Sequence, residues 1–375
     1  MEITSVKTYI YRYNIPEGEY FANANRWNTN KNTVLVQIET DAGITGYGEA
    51  DAAGGPAEVT AYIIDKEIGP YVIGKDPLCV DAIYAEVYQR SMIHGRRGVI
   101  MHAVSGIDCA LWDIIGKVTN QPVYKLLGGA RNKVLAYHSG GFYRKDVPLD
   151  WYAKEARAGY EKGFRAFKMK IGRLDLKTDA ERVRLVREAI GPDCKLMVDV
   201  NSNYSVQEAI QMGRLLAPYD LFFMEEPVSA DDPEGSARVA ANVPMPLAGY
   251  ETEYTRYGFR RLIDCQAMDI VQVDPTRSGG LTECRKIAAY ASAHKLPITS
   301  HIFAGGLTFM AGLHFVCGVD NGFLLECEAN PNPLRTEMFS DYRFTLDSEG
   351  CVVVPDKPGF GVTVDFDALE PYRIG

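Results

Sequence analysis

From Lys133 onward, short apolar runs alternate with amphipathic stretches of helical length. The runs are Val134–His138, Ala166–Ile171, Leu196–Asn201, Leu221–Glu226, Leu247–Glu251, Ile270–Asp274, Ile298–His301 and Phe323–Glu326. Between them lie stretches such as Trp151–Gly163, Asp179–Ile190, Val206–Leu216, Tyr254–Cys265, Leu281–His294 and Leu307–Val316. Eight strands alternating with helices at a repeat of about 25 to 30 residues predict an α/β chain built on a (β/α)8 TIM-type barrel. A doubly wound open sheet also alternates. It rarely needs eight units, and no Gly-rich dinucleotide loop follows the first strand.

The region before Lys133 follows a different pattern. Ile3 to Tyr13 and Thr33 to Thr40 alternate as strands, and Asp41-Ala42-Gly43 turns the second into Ile44–Glu49. That is an antiparallel meander. Helical stretches follow at Ala57–Ile68, Pro77–Ser91 and Val99–Lys117, and Gly128-Gly129 ends the region. Between the first two strands, residues 14–32 are too many and too polar for a tight hairpin; the segment carries Tyr20, Asn23, Asn25, Arg26, Trp27 and Asn28. A loop of that length is read as a lid over a site, against the alternative of a solvated surface loop. After the last barrel run, a short β-rich tail surrounds Pro358-Gly359-Phe360-Gly361. The expected organisation is an α+β cap over residues 1–130, a barrel over 131–345, and a tail over 346–375 that returns to the cap.

Composition narrows the function classes. The 375 residues carry a formal net charge of -9, which argues against a general nucleic-acid binder, because phosphate contacts need a basic face. The same charge requires a local positive site for any anionic substrate. No apolar run is read as membrane-spanning, and Met1-Glu2-Ile3-Thr4 lacks the basic and apolar regions of a signal peptide. The eight cysteines include no CxxC pair and have mostly apolar neighbours, as expected of reduced, buried thiols in a cytoplasmic protein.

Candidate chemistry collects at the ends of the barrel runs, where active sites of such barrels form. In order these are Lys168 and Lys170, Asp199 with Asn201, Glu225, Glu251, Asp274, His301 and Glu326. One carboxylate at a strand end often caps the next helix, as Glu226 before Pro227 would do. So many in succession, projected onto one barrel mouth, are not explained as caps. Lys168 and Lys170, two apart on one strand, point to the same side and repel unless an anion lies between them. Asp199, Glu225 and Glu251 come from adjacent strands, and their convergence calls for a hard divalent cation. Oxygen ligands without His or Cys favour Mg2+ over zinc. Asn201 faces the same side and is placed to bond a ligand or substrate oxygen. Two proton carriers flank the trio. Lys170 is one, its pKa expected to fall beside Lys168 and the cation; His301, oriented by Asp274, is the other. Glu326 completes the ring, hydrogen-bonding a substrate carboxylate oxygen if protonated.

Over nearly its whole length the chain resembles the enolase superfamily, and within it the mandelate racemase subgroup. The resemblance is carried by Lys168-Met169-Lys170, Asp199-Val200-Asn201, Glu225-Glu226-Pro227, Gly249-Tyr250-Glu251, Asp274-Pro275-Thr276-Arg277, Ser300-His301 and Leu325-Glu326. Ala110-Leu111-Trp112-Asp113, Leu126-Leu127-Gly128-Gly129 and Pro358-Gly359-Phe360-Gly361 also look like that family. The muconate-lactonizing subgroup fits less well, since it looks for a lysine after the sixth strand. What the resemblance implies is proton abstraction alpha to a carboxylate by Lys170 or His301. The ene-diolate would be held by one Mg2+ per subunit with Lys168 and Glu326. The resemblance also implies a homo-oligomer.

The fate of that intermediate separates the functions. Return of a proton from the opposite base makes a racemase or epimerase. Donation from protonated His301 to a departing 3-hydroxyl makes a sugar acid dehydratase acting on an aldonate or aldarate. The polar lid and the His94-Gly95-Arg96-Arg97 cluster favour the dehydratase. They add Tyr20, Asn23, Asn25, Arg26, Trp27, His94 and Arg96, with Arg277, as candidate substrate contacts. A Schiff-base aldolase using Lys168 or Lys170 and a noncatalytic sugar- or metal-binding barrel are the readings outside this class.

Overall fold

The computed structural model describes residues 1–53 and 55–375. The chain opens with β1 (Ile3–Asn14), passes through a small hairpin of β2 (Phe21–Ala22) and β3 (Trp27–Asn28), and continues with β4 (Asn30–Thr40) and β5 (Thr45–Asp51). The long strands form an antiparallel sheet in the order β1-β4-β5. Gly43, at φ +73°, takes the left-handed turn position between β4 and β5 that a side chain disfavours.

The helix Val99–Thr119 lies across this sheet. Gly46 and Gly48 on β5 leave room for it: a Cβ on either would run into the main chain at Ala110 or Gly106. This helix corrects the reading that no segment has membrane-spanning length and hydropathy. Its best window has a mean hydropathy of 1.4, but 83% of that window is buried. Its apolar length reflects packing between the cap sheet and the helix Gly280–Ala293.

The barrel follows as β6 (Lys133–Gly140), β7 (Ala166–Lys170), β8 (Lys195–Asp199), β9 (Leu221–Glu225), β10 (Leu247–Gly249), β11 (Ile270–Val273), β12 (Ile298–Ser300) and β13 (Gly322–Glu328). Each pairs in parallel with the next, and β13 pairs with β6 to close the ring. The expected barrel is therefore the observed one. A final strand, β14 (Cys351–Val353), runs antiparallel on β6. Farther along, Phe366 packs against Tyr9 and Tyr47 of the cap, and Ile374 N donates to Ile10 O at 2.8 Å.

Alternation along the strands explains why the chemistry sits at one end. Tyr137, Ala166, Met197, Phe223, Ala248, Ile270 and Leu324 fill the barrel interior as one apolar layer. Two residues further along, on the same inward face, come Lys168, Asp199, Glu225, Gln272 and Glu326. The intervening Phe167, Met169, Val198 and Met224 point outward and pack in the shell beneath the helices. All eight cysteines are free, and Cys109, Cys194, Cys284, Cys317 and Cys327 are buried.

Candidate active site

The register of the barrel sets Lys170 opposite Asp199 and Asp199 opposite Glu225. Strand pairing thus brings the lysines and the first two carboxylates together before any side chain is placed. Lys168, fully buried, has its Nζ 2.8 Å from both Glu225 oxygens, 2.9 Å from Glu326 Oε1 and 3.8 Å from Asp199 Oδ2. The Tyr137 ring lies 5.2 Å from the same ammonium. Lys170 bonds to Asp199 Oδ2. The anion expected between the two lysines is Asp199.

Asp199, Glu225 and Glu251 each offer an oxygen within 4.8 Å of the others, and all three residues are buried. Glu251 Oε2 accepts no hydrogen bond. Burial and then the neighbouring Asp199 push Glu225 well up. An all-oxygen trio in which one carboxylate is pushed toward neutrality by another suits a hard divalent cation. Gln272, on the inner face of β11, donates to Glu225 Oε2 at 3.1 Å. Glu226 Oε1 accepts the hydroxyl of Thr252 at 2.8 Å. Burial, with Glu251 and Asp199 nearby, raises Glu226 to about 8.

On the opposite side, His301 Nδ1 lies 2.8 Å from Asp274 Oδ2, and its Nε2 lies 3.0 Å from Glu251 Oε2. Asp274 is itself fixed by the main-chain N–H and hydroxyl of Thr276, at 2.7 and 2.6 Å. Burial pulls the His301 pKa down, but Glu251, with help from Asp274, outweighs it, and the net direction is up.

The expected fall of the Lys170 pKa joins Lys168 to a bound cation. Among the protein groups alone, burial is the largest influence and pulls Lys170 down, but Asp199, with Glu225 and Glu251, outweighs burial and the Lys168 charge, so the direction is up. For Glu326, burial is the largest influence and raises the pKa, but Lys168, with His301 and Lys170, outweighs it and the net direction is well down. It also accepts the Ile302 N–H at 2.9 Å.

The substrate-binding candidates divide. Asn201 lies at the trio, donating its main-chain N–H to Asp199 Oδ1 at 2.8 Å, while its own Oδ1 is buried without a partner. From the lid, Asn25 Nδ2 donates to Asn201 O at 2.6 Å. Arg26 donates to Ala53 O at 2.6 Å. Burial and then Arg277 lower its pKa, opposed by Asp51 and Glu251. Asn23 spends its Oδ1 on the N–H groups of Asn25 and Arg26, shaping the loop. Trp27 lies beneath Arg173 and Lys145, at 5.2 and 5.6 Å, on the barrel rim. Tyr20 packs at the margin of a cluster of Ile15, Phe21 and Phe142 that also takes in Phe303.

His94 and Arg96 do not join the site. His94 bonds Glu67 at 2.5 Å on the cap surface, and Arg96 is exposed beside Tyr88. Neither bonds to any strand-end residue, although the adjacent Arg97 reaches Glu253 at 3.0 Å in the loop after β10. Arg277 reaches the site but bonds protein carboxylates: Asp51 at 2.8 Å, Glu251 at 3.1 Å and Asp274 at 3.6 Å.

Sequence reasoning missed Asp51, Gln272 and Tyr137. A glutamine inside Ile270-Val271-Gln272-Val273 was a visible signal, a polar residue in an otherwise apolar run. Asp51 lies far along the chain in the cap and carried none. The polarity of the lid is also only half the picture, since its Phe21 packs edge-on to Phe142 at 4.9 Å. Lys170 lies 5.1 Å from the Phe142 ring, and the His301 ring is 6.4 Å from that of Phe303.

Comparison with known proteins fits this geometry. Residues 151–368 match the model described as enolase C-terminal domain-like, and residues 21–128 match the mandelate racemase / muconate lactonizing enzyme N-terminal domain. An arabinonate dehydratase of Saccharolobus solfataricus is 37% identical over 340 residues, covering 91% of this chain and 90% of that protein. A D-galactarolactone cycloisomerase of Agrobacterium fabrum is 36% identical over 384 residues, covering 100% and 99%. The crystal structure of a racemase from Streptomyces coelicolor A3(2) with bound magnesium superposes with a TM-score of 0.91 at 31% identity, covering 99% of this chain and 100% of that one. The chain belongs to the mandelate racemase / muconate lactonizing enzyme family of the enolase superfamily.

Proposed function

We propose that the protein is a sugar acid dehydratase, a hydro-lyase that converts an aldonate or aldarate to a 2-keto-3-deoxy acid. The observation that carries this reading is the placement of two proton carriers on opposite flanks of one carboxylate trio, Lys170 at Asp199 and His301 at Glu251. Asp199, Glu225 and Glu251 would hold one Mg2+ per subunit, which when bound supplies positive charge that acidifies the substrate Cα proton. Lys168 is the fixed cation for the substrate carboxylate, competing there with its resting partner Glu326. Lys170 or His301 takes the Cα proton, according to the configuration at C2. Lys168 steadies the charge that then develops on the carboxylate oxygens. His301, whose pKa is raised, carries a proton to the departing 3-hydroxyl while Asp274 keeps the imidazole oriented. From the lid, Asn25 and Arg26 meet the far end of the polyol. In this reading residues 1–130 are the cap, with the lid at 14–32; residues 131–345 are the catalytic barrel and 346–375 the tail.

The full-length similarity to a D-galactarolactone cycloisomerase favours a second reading. There the leaving oxygen is a ring atom that stays in the molecule through its other bond, and no water is lost. One experiment separates these readings. The Mg2+-loaded protein is incubated in D2O with a panel of aldonates, aldarates and their lactones. A 2-keto acid that has lost one water and carries solvent deuterium at C3 supports dehydration. A product that has lost no water and differs in mass from its lactone only by solvent deuterium, with a changed ring, indicates a cycloisomerase, and deuterium at C2 with no other change indicates a racemase. Either outcome sinks the dehydratase reading.

A further inference from the structure

A second cavity lies behind the barrel wall. It has a volume of about 410 Å³, within the range of about 300 to 1,000 Å³ typical of small-molecule sites. Its position follows from one strand pair. Across β6 and β13, Tyr137 is opposite Glu326, and His138 is opposite Cys327. Tyr137 and Glu326 face inward to Lys168. By alternation His138 and Cys327 face outward, and both line the cavity. It is therefore back to back with the Lys168 site and does not open into it.

The cavity's chemistry differs from that of the barrel mouth. Its walls are the rings of Phe164, Phe309 and Phe344, with Phe164 and Phe344 stacked at 6.2 Å and Phe309 edge-on to Phe344 at 5.7 Å. Phe344 remains 41% exposed at the entrance, an aromatic face without full cover. Lys162 and Arg343 are the exposed cations lining that entrance. Among the described residues Lys162 has no carboxylate partner, and Arg343 donates only to the main-chain oxygens of Phe339 and Tyr342. The three phenylalanine rings offer a polyol no hydrogen-bond partner. A flat ring carrying one negative charge matches both the walls and the rim.

The floor leads to the lid. Glu328, also a lining residue, accepts from Arg335 at 3.0 Å and pairs with the buried Lys31 at 3.4 Å. Lys31 lies at the C-terminal end of the lid segment, where β4 begins, and sits over the ring of Phe303, two residues beyond His301. A carboxylate that draws on Arg335 changes how firmly Glu328 holds Lys31.

We propose that this cavity binds a small aromatic carboxylate, separately from the sugar acid, and that its occupancy alters the lid through Glu328 and Lys31. The inference stands on these residues alone and does not depend on which reaction the barrel mouth performs. The probe is para-fluorobenzoate, titrated against the Mg2+-loaded protein by fluorine NMR, with para-fluorobenzamide as the uncharged control. Saturable binding of the benzoate is expected, about tenfold tighter than the amide, and about tenfold weaker in the surface variant Lys162→Glu/Arg343→Glu. Phe344→Ala should weaken both probes. With the site saturated, amide hydrogen exchange across residues 14–32 should change. The site is overturned if no saturable binding appears, if the amide binds equally well, or if the double variant binds as the parent does. It is likewise overturned if a sugar acid displaces the probe competitively. Saturation without altered exchange in the lid overturns the coupling.

Discussion

Arg277 and Asp51 are joined across the boundary between barrel and cap: the guanidinium Nε lies 2.8 Å from the Asp51 carboxylate, while Nη1 of the same group lies 3.1 Å from Glu251. Asp274, the partner of His301, is 3.6 Å away. One side chain therefore positions a cap residue, a member of the carboxylate trio and the histidine dyad together. Its charge is shared among three carboxylates that are nearly all buried.

Arg277→Met removes that shared cation and strands Asp51 and Asp274 without it. A loss of stability of about 3 to 5 kcal/mol is expected, the usual result of breaking a buried ion network from one side. Urea unfolding of the metal-free protein measures it. Turnover should fall by about tenfold to a hundredfold, as for other groups that orient a metal site. A variant with parental stability would mean that Arg277 only decorates the interface.

Lys170→Ala and His301→Asn should each cut dehydration by about a thousandfold, while circular dichroism shows a folded protein. The two losses differ in kind. Where Lys170 is the base for the substrate used, His301→Asn should still exchange the C2 proton with D2O without forming a keto acid. Near-full activity in either variant would refute the two-base scheme.

Removal of divalent ions with EDTA should abolish turnover, and Mg2+ should restore it. Borohydride should trap no adduct at Lys168 or Lys170. Because the trio is assembled only in the folded chain, Mg2+ at about a hundred times its dissociation constant should add about 2.7 kcal/mol of stability. Thermal unfolding with and without Mg2+ tests this, and Asp199→Asn should erase most of the difference.

His314 gives the fold an acid-sensitive point remote from the site. It is fully buried; its Nδ1 accepts the Tyr124 N–H at 3.1 Å and its Nε2 donates to Phe360 O at 3.1 Å, so the neutral ring is the one bonded. Burial pushes its pKa down from 6.5 to about 3. With the folded pKa below the unfolded one, the unfolded chain binds the extra proton. Stability is then fully present above about pH 6.5 and is lost as pH falls toward 3, on the order of 5 kcal/mol over the window. His314→Gln should lower stability at neutral pH and flatten its decline between about pH 6.5 and 3.

Most of the barrel and its chemistry was legible from Lys133 onward because two periodicities coincide there. The strand and helix repeats order the elements, and the inward alternation puts Lys168, Asp199, Glu225 and Glu326 one step above the apolar layer of Ala166, Met197, Phe223 and Leu324. The lid was less legible. Tyr20, Asn23, Trp27, His94 and Arg96 look alike as polar or aromatic loop residues, and nothing local distinguishes a side chain that faces a site from one that shapes a turn or pairs on a surface. Asn25 and Arg26 differ from their neighbours only through Asn201 and Ala53, partners far away in the chain or across a turn.

The sequence by itself determined the barrel, the carboxylate trio and the placement of Lys170 and His301 on its flanks, since strand-end position and parallel register are enough to bring those groups together. Only the tertiary structure decided the charge on each group and what holds it. Asp199 rather than Lys168 governs Lys170, and Lys168 keeps Glu326 ionised. Arg277 bonds Asp51 and Glu251. Those outcomes depend on burial and on distances of a few ångströms between residues far apart in the chain, and Coulomb energies vary too steeply with both for local pattern to set them.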